Sequence, residues 1–149
     1  MAEPARGTVL GFDYGRRRIG IAVGQRVTGS AHALATLPAT DGSPDWERLD
    51  ALVEEWRPTE LVVGVPYNAD GTPHDLTREA LDFAHALGAR SGLTVHTVDE
   101  RLSSVEAERA LKAQRGAGRR RIGKGDVDAA AACVILGSWL ESRGQAERT

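Results

Sequence analysis

Residues 8–23 read TVLGFDYGRRRIGIAV, and the rest of the chain is arranged around this stretch. Two segments rich in apolar and β-branched residues, 8–12 and 19–23, are joined by the short connection Tyr14-Gly15-Arg16-Arg17. Val, Ile and Thr suit a pleated surface because their stiff side chains pack well there, and so short a link forces the two strands to run antiparallel. The stretch therefore predicts a β-hairpin. A carboxylate, Asp13, falls directly behind its first strand, and Arg16, Arg17 and Arg18 cluster in the connection.

A lone hairpin is marginal in water, so the following residues must cover it. A third short strand is expected over 31–37. A helix is expected to open at Ser43-Pro44, where Ser can cap free N–H groups and Pro fits the first turn. Its stripe of Trp46, Leu49, Val53 and Trp56 has helical spacing, and Pro58 stops it. Residues 61–65, LVVGV, form a continuous apolar run, as expected of a strand covered on both faces in a parallel sheet. The loop 66–73 leads to a second helix over 76–89, with Leu76, Ala80, Phe83, Ala84 and Leu87 on one side. A last strand spans 93–98. Ser103 and Glu106 form a capping box that starts a third helix, and a closing helix covers 127–140. The order predicts an α/β domain with a mixed five-stranded sheet, three antiparallel strands first and parallel strands after.

The 149 residues suit one domain with a core over about 7–142, leaving flexible ends at 1–6 and 143–149. With 41% hydrophobic and 27% charged residues, neither disorder nor a fibrous architecture is favoured. No apolar run approaches the roughly 18 residues needed to span a bilayer, and the opening MAEPARG lacks the apolar stretch of a signal peptide. A cytoplasmic protein with no membrane partner is expected. The single cysteine, Cys133, excludes an intramolecular disulfide framework and a multi-cysteine zinc site, and its setting in AAAACVIL suggests a core thiol. Net charge is −2, so the basic residues matter by position: Lys112, Arg115, Arg119, Arg120, Arg121 and Lys124 share a stretch without an acid.

Open α/β sheets place ligands beyond the carboxyl ends of their strands, which draws attention to the acids there. Asp13 follows the first strand and Asp99-Glu100 follows the last. Strand alternation sends Asp99 and Glu100 to opposite faces, so one of them joins Asp13, and alternation alone does not say which. On the closing helix, at 100° per residue, Asp128 shares the stripe of Ala132, Ile135, Leu136 and Trp139, whereas Asp126 lies on the other side and suits an N-cap. An acid on a buried stripe needs a compensating partner, and a hard, oxygen-loving cation is one. Taken singly, Asp13 fits a turn, Glu100 an ion pair with Arg101 or Arg109, and Asp128 a helix cap. Three carboxylates converging on one edge favour a metal site, and without a His or Cys cluster the ion would be Mg²⁺ or Mn²⁺.

The blocks GFDYGRRRIGIAVG, GVPYNADGT, VDERLSSVEAE and KGDVDAAAACVIL, in this order and spacing, closely resemble the four motif blocks of the YqgF family of pre-16S rRNA processing nucleases and Holliday-junction-resolvase-like proteins. The likeness covers roughly residues 7–140, far more specific than any one short motif. It implies a ribonuclease H-like fold in which Asp13, Glu100 and Asp128 bind divalent metal, and it favours Asp128 over Asp126, at which related sequences often carry a basic or neutral residue. Two such ions about 4 Å apart would serve phosphodiester hydrolysis. Arg16, Arg17, Arg18 and Lys124 would hold backbone phosphates, Arg101 would orient Glu100 or meet a phosphate, and Arg119, Arg120 and Arg121 would extend the surface. Asn68 would touch nucleic acid or simply turn the chain. Whether Asp99 or Asp126 assists the metal stays open.

The expected partner is nucleic acid: precursor 16S rRNA first, branched DNA second, with ribosomal particles as a further partner. Two rivals compete. The hairpin also resembles the phosphate-binding hairpin of actin- and hexokinase-type ATPases, but those bind nucleotide between two lobes and this chain supplies one. A non-catalytic RNA- or ribosome-associated module is the other, and the retained acids argue against it.

Overall fold

The computed structural model describes residues 7–100 and 124–148, and side-chain surroundings within 7–100 and 129–142. The elements are β1 (Thr8–Asp13), β2 (Arg18–Gln25), β3 (Ser30–Thr40), β4 (Ser43–Pro44), α1 (Trp46–Trp56), β5 (Glu60–Val65), α2 (Asp75–Ser91), β6 (Thr94–Asp99) and α3 (Lys124–Arg148). The helix expected from Ser103 and Glu106, together with Arg101, Arg119, Arg120 and Arg121, lies outside the described residues. The strand order is β4-β3-β2-β1-β5-β6. β1, β2 and β3 pair antiparallel in sequence, β5 runs parallel to β1, and β6 runs parallel to β5. The expected mixed α/β sheet is present.

One local expectation fails. Ser43-Pro44 does not open a helix but forms a sixth, two-residue strand paired with Ala39 and Thr40. The cause is the intervening Asp41-Gly42, whose φ values of 51° and 83° are both positive. Two central residues in that region make the tight turn whose twist suits a hairpin, and Asp-Gly is a favoured pair for it. The helix cap passes to Asp45, whose side chain accepts from the Arg48 backbone N–H at 3.3 Å. A smaller correction concerns Asp126: α3 begins at Lys124, so Asp126 stands inside the first turn rather than at its cap.

Alternation along the strands divides the apolar residues between two layers. Leu10, Phe12, Ile19, Ile21, Leu61, Val63 and Val65 face α1 and α2, where Leu49, Ala80, Phe83, Ala84 and Leu87 complete a buried core. Val9, Ala22 and Val62 face the other way, against Ala132, Ile135, Leu136, Trp139 and Leu140 of α3. The helical stripe expected on the closing helix is thus buried against the sheet. Small residues let α3 approach closely: a Cβ at Gly11 would stand 2.8 Å from Leu136 Cβ, and one at Gly24 would stand 2.8 Å from Leu140 Cδ1. Farther along α3, Trp139 lies tilted against His96 with ring centroids 4.9 Å apart, and His96 Nε2 lies 2.7 Å from Glu60 Oε2. These contacts hold the later turns of α3 at the amino ends of β5 and β6.

Candidate functional site

Asp13 ends β1 on the α3 side, because Val9 and Gly11, four and two residues before it, face that helix. In register it neighbours Gly20 on β2 and Gly64 on β5, so its direct partner on each adjacent strand is a glycine. It is half-buried.

Glu100 and Asp99, which alternation left undecided, are now distinguished. Val98 packs on the α3 side, and Glu100 continues that alternation. Its Cγ and Oε1 lie 3.1 and 3.0 Å from the point where a Cβ on Gly64 would stand, and Ile135 Cδ1 of α3 lies 2.4 Å from the same point. The Oε1 oxygen is buried. Glu100 therefore lies over Gly64 of β5, the register neighbour of Asp13. The two carboxylates occupy adjoining positions on one face, while Asp99, a residue earlier, belongs to the other. Asp128 is four residues before the buried Ala132 and seven before the buried Ile135, on the turn of α3 that precedes these contacts. Its side chain lies outside the described surroundings, and among the described residues no three metal-ligating side chains gather.

The arginine connection is more tightly built than a solvated turn. Tyr14 donates its hydroxyl to Gly42 O at 2.7 Å, and Gly42 N and Ala39 N donate to Arg16 O and Arg17 O at 3.0 and 2.8 Å. Burial pushes the Tyr14 hydroxyl above its usual pKa, aided by Glu79. Arg16 forms a forked ion pair with Glu79 of α2. That hydrogen bonding raises the Arg16 pKa and lowers that of Glu79. Gly15, Arg16, Arg17, Arg18 and Leu76 line a shallow cleft of about 330 Å³, with Arg17 exposed at its rim. Asn68 donates from Nδ2 to Thr72 Oγ1 at 2.9 Å, and its backbone closes a tight loop with Gly71 and Thr72, as a turning residue does. Lys124 is the first residue of α3.

Sequence reading missed Glu79 and Gly64. Glu79 meets Arg16 across 63 residues and leaves no local signature. Gly64 does leave one, since a glycine inside an apolar strand marks a close approach. Among the described residues no helix is long and apolar enough to cross a membrane.

The chain is 51% identical over 137 residues to an Azotobacter vinelandii protein named "Putative pre-16S rRNA nuclease", covering 91% of this chain and 94% of that protein. A Salmonella typhimurium protein of the same name is 49% identical over 135 residues, covering 91% and 96%. Among solved structures, Thermus thermophilus RuvC in complex with a Holliday junction substrate matches with TM-score 0.56 at 18% identity, covering 92% of this chain and 95% of that one. The yeast mitochondrial Holliday junction resolvase Ydc2 matches with TM-score 0.59 at 11% identity, covering 99% and 83%. These likenesses establish the ribonuclease H-like fold. The family model described as "RuvX: Holliday junction resolvase" matches residues 7–142, and the chain belongs to that family.

Proposed function

We propose that the chain hydrolyses phosphodiester bonds in the 5′ region of precursor 16S rRNA during ribosome maturation in the cytoplasm, using Asp13, Glu100 and Asp128 as metal-binding carboxylates. Membership of the resolvase family makes it a phosphodiester-cleaving nuclease. The observation that carries the site is the placement of Asp13 and Glu100 on adjoining positions of one face, over the side-chain-free Gly64.

The residues suit a hard divalent cation. Carboxylate oxygens are the donors such ions prefer, and the volume a Cβ would fill at position 64 is shared between Ile135 Cδ1 and the Glu100 carboxylate. Mg²⁺ or Mn²⁺ held there, as one ion or a pair, supplies neutralisation of charge on the phosphate and a water made more acidic. Asp13 is the central ligand, fixed by hydrogen-bonded neighbours on both sides. Glu100 adds a carboxylate whose buried oxygen is shielded from solvent. Asp128 closes the set from α3. Arg17 and Arg18 hold backbone phosphates beside the cleft, joined by Lys124, Arg101 and the run Arg119, Arg120 and Arg121. Arg16 acts there after exchanging Glu79 for phosphate, since a forked guanidinium pairs with either anion. Asn68 keeps the loop after β5 in shape.

The names of the curated relatives support RNA as the substrate, and the family description supports branched DNA as the alternative. Cleavage of a precursor 16S fragment and of a four-way DNA junction, each with Mg²⁺, Mn²⁺ or EDTA and with Asp13→Asn as control, separates them. Metal-dependent cutting of the precursor, lost in Asp13→Asn, is expected. Preferential cutting of the junction would move the substrate to DNA, and cutting that persists in EDTA would remove the metal site.

A further inference from the structure

Gly64 interrupts the apolar run 61–65 for a reason that backbone conformation does not supply. Its φ is not among the positive values, so an L side chain is compatible with its backbone. What forbids one is volume. A Cβ there would stand 2.4 Å from Ile135 Cδ1, 3.0 Å from Glu100 Oε1 and 3.1 Å from Glu100 Cγ. The neighbouring small positions under α3 differ. A Cβ at Gly11 would meet Leu136 and the Ala132 carbonyl, and one at Gly24 would meet Leu140, Leu136 and the Ser30 carbonyl. Those two glycines serve helix packing, whereas Gly64 accommodates packing and a carboxylate together.

We propose that Gly64 is a positioning residue for cleavage: its bare Cα is the channel through which Glu100 crosses β5 from the end of β6 towards Asp13 on β1. The inference rests on the reading of Asp13 and Glu100 as site carboxylates. Position 64 stands between those two strands, with Asp13 and Val98 as its register neighbours, and a side chain there would intrude on Glu100. Glu100 is held against the strand over its Cγ as well as its carboxylate, so a methyl group displaces the acid rather than merely rotating it. The shift needed is a few tenths of an ångström, enough to loosen a ligand set whose geometry is demanding.

Gly64→Ala alone mixes two effects, since the methyl group also strikes Ile135. Gly64→Ala/Ile135→Val separates them: valine lacks the Cδ1 atom, while both Glu100 contacts remain. Melting temperatures across a Mn²⁺ titration, measured without substrate, read the site independently of turnover, because an ion that binds the folded state raises apparent stability by mass action. The double variant should melt near Ile135→Val in metal-free buffer, yet need on the order of tenfold more Mn²⁺ for half its stabilisation. Its kcat should fall by a similar factor with KM little changed, given that misplacement by about 1 Å costs about 10²-fold. A double variant whose Mn²⁺ response and kcat match those of Ile135→Val would overturn the positioning role. Glu100→Gln, run in parallel, tests the underlying reading: an undiminished Mn²⁺ response there removes Glu100 from the site and the inference with it. Loss in Glu100→Gln without loss in the double variant removes the inference alone.

Discussion

On the α1 and α2 side of the sheet, Phe12, Tyr14 and Trp46 gather around Phe83 with ring centroids 5.2 to 5.9 Å away, and large aliphatic residues fill the remaining space. On the α3 side, positions facing the helix include Gly11, Gly24, Gly64 and Ala22, and the acids stand where that face ends. The first face gains stability from buried apolar area. The second gives up such area so that a helix can lie close. On the site proposed above, one sheet keeps its stability reserve away from its chemistry, and perturbations of the two faces should have different signatures.

The sharpest contrast comes from Asp13→Asn, which keeps the shape of the side chain and removes its charge. Cleavage should fall by at least about 10³-fold, roughly 4 kcal/mol of barrier, while metal-free melting stays near the wild type or rises as carboxylate repulsion is relieved. Single-turnover cleavage and melting curves check both halves; substantial activity would break the contrast. Leu49→Ala on the opposite face should do the reverse. Leu49 is fully buried, and such a truncation costs about 2–5 kcal/mol. Denaturant titration reads that loss, and the Mn²⁺ response of the folded fraction should be unchanged.

A milder test belongs to the α3 face itself. Gly11→Ala places a methyl group 2.8 Å from Leu136 Cβ, an overpacking expected to cost about 1–3 kcal/mol by denaturant titration. No loss would mean that the helix has slack and that the glycines are not what bring it close. The smallest effect concerns Cys133, whose Sγ donates to Ala31 O at 3.2 Å and whose thiol is pushed up in pKa by burial. The thiolate is the reactive form, so alkylation of the folded protein should be slower than that of the unfolded chain at pH 8 and should accelerate as pH rises. Equal rates would place the α3 packing in doubt.

The features legible in the sequence were those with a short-range cause. The hairpin, the apolar run of β5 and the stripe of α3 follow from periodicity, and Asp13 was visible as an acid behind a strand. Reading Ser43-Pro44 as a helix opening passed over the Asp41-Gly42 pair before it, whose turn chemistry prevails in the structure. The choice between Asp99 and Glu100 needed β6 to be seated beside β5, because alternation gives two faces without naming either. The pairing of Arg16 with Glu79 needed α2 to pack beneath the hairpin, a tertiary event with no local trace.

The divalent-metal site proposed for Asp13, Glu100 and Asp128 lies at the open end of the α3 face. An anomalous difference map from crystals soaked in Mn²⁺ addresses it directly. The expected result is a peak within about 2.0–2.6 Å of an oxygen from each of the three carboxylates. A peak coordinated elsewhere, or an Asp128 carboxylate more than about 8 Å from a peak bound to Asp13, several times a coordination distance, would contradict it.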